Sequence, residues 1–246
     1  MPPAPGPGQI LVKINWLVPG TFEEYCLTDG RYATRIPDGV KDEEAGPIMC
    51  GGVTAYVACK RASAQPGEWI VMIGGGGGCG HFGIQYAKAM GLRVIAIDGG
   101  EEKGQLCKQL GAEEYLDFTQ RKDLAADVLR LTTWGAHAVI VFSASPEGFA
   151  VAPSMCRPGG TVVSVGLPTD TSVVVGALPG VLARKRLNIV GSITGTLEDI
   201  AEAMDFTARG AVRPVLHRAT LADVDEVCRL MNEGKILGRA VLKVAS

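Results

Sequence analysis

Five successive glycines, Gly74 to Gly78, stand between the apolar run Trp69–Ile73 and a segment of helical pattern that opens at Gly80 and runs to Met90. Within Gly74-Gly75-Gly76-Gly77-Gly78-Cys79-Gly80-His81, the residues Gly75, Gly77 and Gly80 satisfy G-x-G-x-x-G in the strand, turn and helix setting that gives the pattern a mechanism. Absent Cβ atoms permit the tight turn, let the backbone approach a pyrophosphate and let helix pack on strand, while the helix N-terminus supplies N–H donors. Asp98 ends the next apolar run, eighteen residues past Gly80. A carboxylate there can accept hydrogen bonds from both hydroxyls of an adenosine ribose. It also repels a 2′-phosphate, and Gly99-Gly100 brings no arginine to receive one, so the pattern points to NAD rather than NADP. Cys79 is expected to fill the apolar x position and pack inward, a reactive thiol being the other reading. His81 either donates to a phosphate oxygen or faces solvent.

From Trp69 onward, short β-branched runs alternate with helical patterns, as in βαβ units and a parallel sheet. Strands are predicted at Glu68–Ile73, Leu92–Asp98, Glu114–Phe118, Ala138–Ser143, Gly160–Gly166 and Leu187–Ile193, and helices at Gly80–Met90, Glu101–Leu110, Arg121–Thr132 and Pro146–Cys156. Several strands are apolar almost throughout, as when helices cover both faces. The fold class is therefore α/β, a doubly wound parallel sheet. Outside this block, strands are expected at Gln9–Trp16, Phe22–Leu27, Tyr32–Ile36 and Arg239–Val244, and helices at Ala45–Ala62, Leu197–Thr207 and Leu221–Asn232. These pieces predict a small β-rich lobe built from both termini, residues 1–46 with 212–246, beside a nucleotide-binding domain at 47–211.

Composition removes other classes. The chain carries 24 Lys+Arg against 26 Asp+Glu and a net charge of −2, so neither nucleic acid nor an anionic membrane is an expected partner. At 47% hydrophobic residues it can build a sizeable core. No apolar run approaches the ~20 residues of a membrane span. Glycine, 33 of 246 residues, has no collagen-like period, so the excess belongs in turns. The cysteines at 26, 50, 59, 79, 107, 156 and 228 are never closer than nine residues, which fits neither a disulfide framework nor a zinc knuckle. The expected compartment is the reducing cytoplasm. Met1 to Gly8 lacks a basic n-region and an apolar h-region and reads as a loose lead-in.

The stretches Ala45-Gly-Pro-Ile-Met-Cys50-Gly-Gly-Val-Thr54, Gln85-Tyr-Ala-Lys-Ala-Met-Gly91, Val94-Ile-Ala-Ile-Asp98-Gly-Gly, Val190-Gly-Ser192 and Gly234-Lys-Ile-Leu-Gly-Arg239 together resemble the zinc-type alcohol dehydrogenases of the medium-chain dehydrogenase/reductase superfamily. The resemblance extends over nearly the whole chain. It implies a Rossmann sheet with a residual GroES-like lobe, and NAD as cofactor. It implies that Gly75, Gly76, Gly77, Gly78, Cys79, Gly80 and His81 surround the pyrophosphate and that Asp98 and Lys103 hold the adenosine ribose. Val165, Gly166 and Leu167 would line the nicotinamide amide, Thr54 and Ser192 would lie near its ring, and Arg239 would reach the pyrophosphate. Lys103 and Arg239 also have plain readings as surface charges.

One departure is large. In the resembled family, Cys-His, Gly-His-Glu and four-cysteine segments precede the stretch matching Gly20-Thr-Phe-Glu-Glu-Tyr25, but here Asn15 runs directly into Trp16-Leu-Val-Pro-Gly20. About a hundred residues of zinc-bearing chain are missing on that comparison. Of the catalytic zinc ligands only Cys50 has a counterpart, and a catalytic site needs about three. His81, His137 and His217 do not supply the others. No metal is expected, and Cys50 reads as a small buried residue.

The leading expectation is a zinc-independent NAD(H)-dependent oxidoreductase acting on a carbonyl or conjugated double bond of a bulky small molecule. Charge developing on oxygen would then need positioned donors, each worth roughly 3–4 kcal/mol. Thr54, Tyr25, Tyr56 and Tyr32 are candidates, each with an ordinary packing or surface reading. A second expectation is a redox-neutral lyase, cyclase or isomerase using Glu23, Glu24, Tyr25 or Asp29. A third is an NAD-binding module without catalysis. The resemblance further implies a homo-dimer paired through the strand near Leu187–Ile193, with the apolar run Val173–Leu182 beside it.

Overall fold

The computed structural model describes residues 4–17 and 25–244. The chain divides into two compact units, Thr54–Thr194 and Met1–Val53 with Gly195–Ser246. In the larger unit, strands β4 (Trp69–Ile73), β5 (Arg93–Asp98), β6 (Glu114–Asp117), β7 (Ala136–Val141), β8 (Cys156–Ser164) and β9 (Asn188–Gly191) form one sheet in the order β6-β5-β4-β7-β8-β9. Every pairing is parallel. The order reverses between β4 and β7, which is where open α/β sheets leave a ligand crevice at the carboxyl ends of their strands.

Side chains alternate across a sheet, and here both sets are buried. Val71, Ile73, Ile95, Ile97, Val139 and Val141 share one cluster with Val128 of α5 (Leu124–Thr132) and Phe149, Ala152 and Met155 of α6 (Pro146–Met155). Ile70, Met72, Val94, Ala96, Ala138 and Ile140 are buried as well, and α3 (Gly80–Ala89) contacts β4 and β5. Caps set the helix limits. Asp123 accepts from the Ala126 N–H, so α5 starts at Leu124 and not at Arg121. Ser145 caps α6 ahead of Pro146, and α4 (Glu101–Leu110) ends on Gly111 at φ +113°. A short helix α7 (Pro179–Lys185) was not expected from the sequence.

In the terminal unit, β1 (Gln9–Lys13) pairs antiparallel with β3 (Tyr25–Asp29), and β10 (Leu216–Thr220), β11 (Arg239–Lys243) and β2 (Trp16–Leu17) form a second sheet. Residues 22–24 of the strand expected at Phe22–Leu27 lie outside the described residues. No strand occupies Tyr32–Ile36. Asp29 caps a 3-10 turn at Gly30–Tyr32 through the Arg31 N–H and grips the Arg31 guanidinium, and this ends the extended run. The helix expected at Ala45–Ala62 is three pieces: α1 (Asp42–Pro47), a π turn at Ile48–Gly52 and α2 (Val53–Arg61). Two adjacent glycines, Gly51-Gly52, sit in the widened turn. The units meet in sequence at 53/54 and 194/195 instead of 46/47 and 211/212. Helix α8 (Leu197–Ala208) packs on the 48–52 turn, and Arg213 and Arg218 bind Glu44 and Glu43, which draws all of 195–218 to the terminal unit. Among the described residues no helix is long and apolar enough to cross a membrane.

Candidate functional site

The carboxyl ends of β4, β5, β7 and β8 are built by one repeated device. Ile97 O accepts from both Gly74 N and Gly75 N at 2.8 and 3.2 Å, Ile73 O from Phe142 N and Ser143 N, and Val141 O from Val165 N and Gly166 N. Two successive N–H groups on one carbonyl turn each chain sharply off the sheet. The close approach that follows is possible only for glycine at several positions. A Cβ on Gly166 would lie 2.0 Å from Ser143 O, and one on Gly74, at φ +84°, 2.9 Å from Ser143 N.

The loop into α3 divides its glycines by role. A Cβ on Gly80 would stand 2.0 Å from Gly74 O, and one on Gly75 would stand 2.9 Å from the Ala96 Cβ, so these two are demanded by packing. Gly77 meets only Gly74 O, at 3.3 Å. Among the described residues nothing strictly requires a glycine there. The N–H groups of Gly78 and Gly80, at the start of α3, have no backbone partner among the described residues. They are aligned with the positive end of the helix dipole, which favours an anion.

Asp98 is buried at the end of β5. Its Oδ2 accepts from Gly76 N at 2.9 Å, and its Oδ1 accepts from Gly99 N and from Lys103 Nζ, each at 2.9 Å. The Gly76 N–H is therefore spent on Asp98 and does not face a pyrophosphate, unlike the expectation from sequence. Beside Asp98 lies a cavity of about 670 Å³ with apolar walls from Ile73, Ile97, Phe118 and Leu124, and with Ser143 at its edge. Phe118 and Ser143 were missed in the sequence. The available signal was their place just past strand ends: Phe118 directly follows β6, and Ser143 lies two residues beyond β7.

Other candidates divide. His81 does not meet solvent. Its ring is buried 4.1 Å from that of Phe82, and Nδ1–H donates to Gly77 O at 3.0 Å, so it braces the loop from beneath. Cys79 is half-buried at the N-cap of α3 instead of packed inward. Val165 is buried beneath its bonded backbone, whereas Leu167 is 73% exposed. The Ser192 hydroxyl is buried without a hydrogen-bond partner among the described residues. Thr54 is buried at the start of the larger unit. Tyr56 is buried with its ring edge-on to that of Tyr86 at 5.4 Å. Burial and its neighbours Cys59 and Tyr56 hold the Tyr86 hydroxyl far above the ordinary phenol range.

In the terminal unit, Tyr25 is half-buried on β3 opposite Lys13, and Asp29 is committed to Arg31. Glu23 and Glu24 lie outside the described residues. Arg239 stands at the start of β11 with its guanidinium 3.9 Å from Cys50 Sγ, and Cys50 is exposed, not buried. Among the described residues no group of three or more His, Cys, Asp or Glu could hold a metal ion. A single thiol beside a guanidinium does not fit catalytic zinc, since the cation already at the sulfur opposes a second.

Residues 78–209 match the zinc-binding dehydrogenase family. Alcohol dehydrogenase 1 of Emericella nidulans is 42% identical over 232 residues, which cover 94% of this chain and 66% of the relative. The crystal structure of the alcohol dehydrogenase from Aeropyrum pernix is 28% identical with a TM-score of 0.83, over 91% of this chain and 65% of that one. Acetophenone reductase from Geotrichum candidum, determined in complex with NAD, is 27% identical with a TM-score of 0.78, over 92% and 63%. The chain thus spans about two thirds of the length of these relatives. The match over residues 78–209, together with these relatives, shows that the chain belongs to the zinc-binding dehydrogenase family of the medium-chain dehydrogenase/reductase type.

Proposed function

We propose that the chain is an NAD(H)-dependent oxidoreductase that works without catalytic zinc, on a carbonyl or a conjugated double bond of a bulky small molecule. The observation that carries this reading is the bare backbone at Gly77 beside the N–H groups of Gly78 and Gly80, next to the buried Asp98 carboxylate. Those three glycines would hold the pyrophosphate, Asp98 the adenosine ribose hydroxyls, and the cavity at Ile73, Ile97 and Phe118 the adenine. When bound, the nicotinamide supplies or accepts the hydride. Val165 and Gly166 give a rigid wall at the end of β8, and the buried Ser192 hydroxyl offers a hydrogen bond it does not make among the described residues. Asp98 favours a free 2′-hydroxyl over a phosphate, and an NAD complex is known for a relative.

Zinc independence is supported by the residues available: Cys50 alone among the family's ligands, with Arg239 against it. Lacking a Lewis acid, the site would favour reactions in which little charge collects on one oxygen. We infer also that two copies pair through β9, the edge strand of the sheet, which has Val174, Leu178 and Ile193 exposed at 78, 76 and 65% nearby in sequence. Light scattering on the purified protein reads that directly.

The test of function is a fluorescence titration with NADH and NADPH, followed by absorbance at 340 nm with a panel of enals, quinones and ketones, with and without a chelator. Tight NADH binding, weaker NADPH binding and chelator-resistant oxidation of NADH are expected. Absence of dinucleotide binding would end the proposal, and loss of turnover on chelation would end its zinc-free part.

A further inference from the structure

A loop of five glycines has the largest conformational freedom a chain of its length can possess, so its order has to be imposed from outside. His81 braces it from beneath. One residue from another element also lies across it. If Gly76 carried a Cβ, that atom would lie 2.9, 3.0 and 3.2 Å from Cβ, Cγ and Cδ of Lys103. The aliphatic stem of Lys103 therefore occupies the space where a side chain at position 76 would be. From there the stem carries Nζ to Asp98 Oδ1 at 2.9 Å, while Asp98 Oδ2 holds the Gly76 N–H. Gly76, Asp98 and Lys103 close a ring of contacts: stem on Cα, ammonium on carboxylate, carboxylate on N–H. The ammonium side of Lys103 is only partly exposed and the carboxylate is buried, so the pair is shielded from bulk water.

The base of the strap is itself fixed. Lys103 lies in the first turn of α4, where the next residue, Gly104, receives the Tyr115 ring at a distance of 2.7 Å from where its Cβ would be. The Tyr115 hydroxyl donates to Gly100 O at 2.9 Å. The turn from β5 into α4 is thus held against β6, and Lys103 is a short lever mounted on a rigid base.

We propose that Lys103 is the positioning residue of the glycine loop: its stem, more than its charge, straps Gly76 down and thereby sets the donors at Gly78 and Gly80 before any ligand arrives. This rests on the dinucleotide reading above for its consequence in binding, but the ordering of the loop is a property of the ligand-free chain. It assigns Lys103 a different task from contact with the ribose. A ribose contact needs the ammonium; a strap needs the methylenes.

Two substitutions separate these tasks. Lys103→Met keeps a long apolar stem and loses the ammonium, and Lys103→Ala loses both. Hydrogen exchange of the peptide spanning 74–80 in the ligand-free protein is the first measurement, and displacement of NADH by adenosine and by ADP-ribose is the second. Lys103→Ala is expected to speed exchange across the loop and to weaken ADP-ribose by about tenfold, the affinity equivalent of ordering about one residue. Adenosine, which has no pyrophosphate for the loop to hold, should change by less than about twofold. Lys103→Met should restore both exchange and ADP-ribose affinity toward the parent. Gly76→Ala, which pushes the stem away, should reproduce the alanine variant. Equal losses for adenosine and ADP-ribose, with methionine as poor as alanine, would overturn the strap in favour of a ribose contact. Unchanged loop exchange in Lys103→Ala would overturn it as well. If the parent protein binds neither dinucleotide nor ADP-ribose, the function proposed above fails, while the exchange data still decide the strap.

Discussion

The second and third glycines of the fingerprint, Gly77 and Gly80, are three residues apart in one loop, and the structure assigns them opposite sensitivities. In Gly80→Ala the new Cβ would sit 2.0 Å from Gly74 O and 2.7 Å from Gly75 Cα, whereas ordinary contact begins at 3.4 Å. The pair must separate by 1.4 Å, from 2.0 to 3.4 Å, and both obstacles are backbone atoms pinned to Ile97 O through Gly74 and Gly75. Overpacking costs about 1–3 kcal/mol in well-packed interiors, and a clash with fixed backbone belongs at the upper end. At roughly 2–4 °C per kcal/mol for a chain of this size, about 3 kcal/mol lowers Tm by about 6–12 °C. Gly77→Ala meets only Gly74 O at 3.3 Å, which a shift of a few tenths of an ångström relieves. Loss of unfolded-state freedom returns about 0.4–1 kcal/mol, so its Tm should stay within a few degrees of the parent. Its methyl group nevertheless stands where a pyrophosphate would approach. Losing charge-assisted bonds worth about 1.5–3 kcal/mol weakens NADH by about 10- to 150-fold. Thermal melting and fluorescence titration on the two variants read both quantities. Equal Tm losses for the two would refute the division of roles, and unchanged NADH affinity in a stable Gly77→Ala protein would refute the placement of the ligand.

Three further outcomes follow from single interactions. Asp98→Ala should weaken NADH by at least about tenfold and narrow the gap to NADPH, since the group that opposes a 2′-phosphate is gone; isothermal titration with both cofactors checks it. His137 accepts the Trp69 N–H at Nδ1 and turns Nε2 to Glu68, with Arg157 alongside, and burial foremost, aided by the Arg157 charge, holds its pKa below the ordinary 6.5. A depressed folded value means that the neutral ring stabilises the fold above pH 6.5 and that this contribution is lost as pH falls below it; melting curves between pH 8 and 5 should show a shallower acid loss for His137→Asn, and equal slopes would refute the assignment. Lys185 Nζ donates to the carbonyls of Pro153, Ser154 and Cys156 at 3.4, 3.1 and 2.8 Å, closing the end of α6, so Lys185→Met should lower stability by about 1–2 kcal/mol in urea unfolding.

What the sequence disclosed was whatever is written in punctuation. The glycine run, Asp98 and the alternation of apolar runs with capped helices mark the sheet, because turn and cap residues act over three or four positions and need no distant partner. Helix α4 appears with both ends as expected for that reason. What stayed hidden depends on neighbours remote in sequence. Tyr32–Ile36 has strand-like composition, yet no strand pairs with it once Asp29 has closed the turn on Arg31. Strand β10 has a burial pattern without alternation and exists because β11 lies beside it in register. At the site, His81 read as either a donor to phosphate or a solvent-facing residue; the helix turn buries its ring, with Nδ1–H on Gly77 O. Cys50 looked buried because it is a cysteine in an apolar run, and the π turn at Ile48–Gly52 leaves it exposed. Ser143 drew no notice because its role comes from the sheet order, which places β7 beside β4 across the crevice.

Redox chemistry on a carbonyl has two requirements, a hydride carrier and a stabiliser for charge on oxygen. All the residues proposed here to hold the carrier by its adenosine and pyrophosphate lie between Ile73 and Phe118, within one unit and along adjacent strand ends. That part of the apparatus needs nothing from the segment that would bear zinc. The stabiliser is a separate matter. A metal supplies several kcal/mol to an oxygen with no proton to manage, while a positioned neutral donor supplies about 3–4 kcal/mol and only at the atom it touches. With the Tyr56 ring buried against Tyr86 and Cys50 set against a guanidinium, few strong candidates remain among the described residues, Thr54 and Ser192 foremost. Under that constraint the substrate has to do part of the work itself. An enal or quinone spreads the incoming charge over a conjugated system, so it demands less of the protein than a simple ketone or alcohol, whose charge falls on one atom. The order of reactivity across such a panel should therefore follow conjugation rather than size.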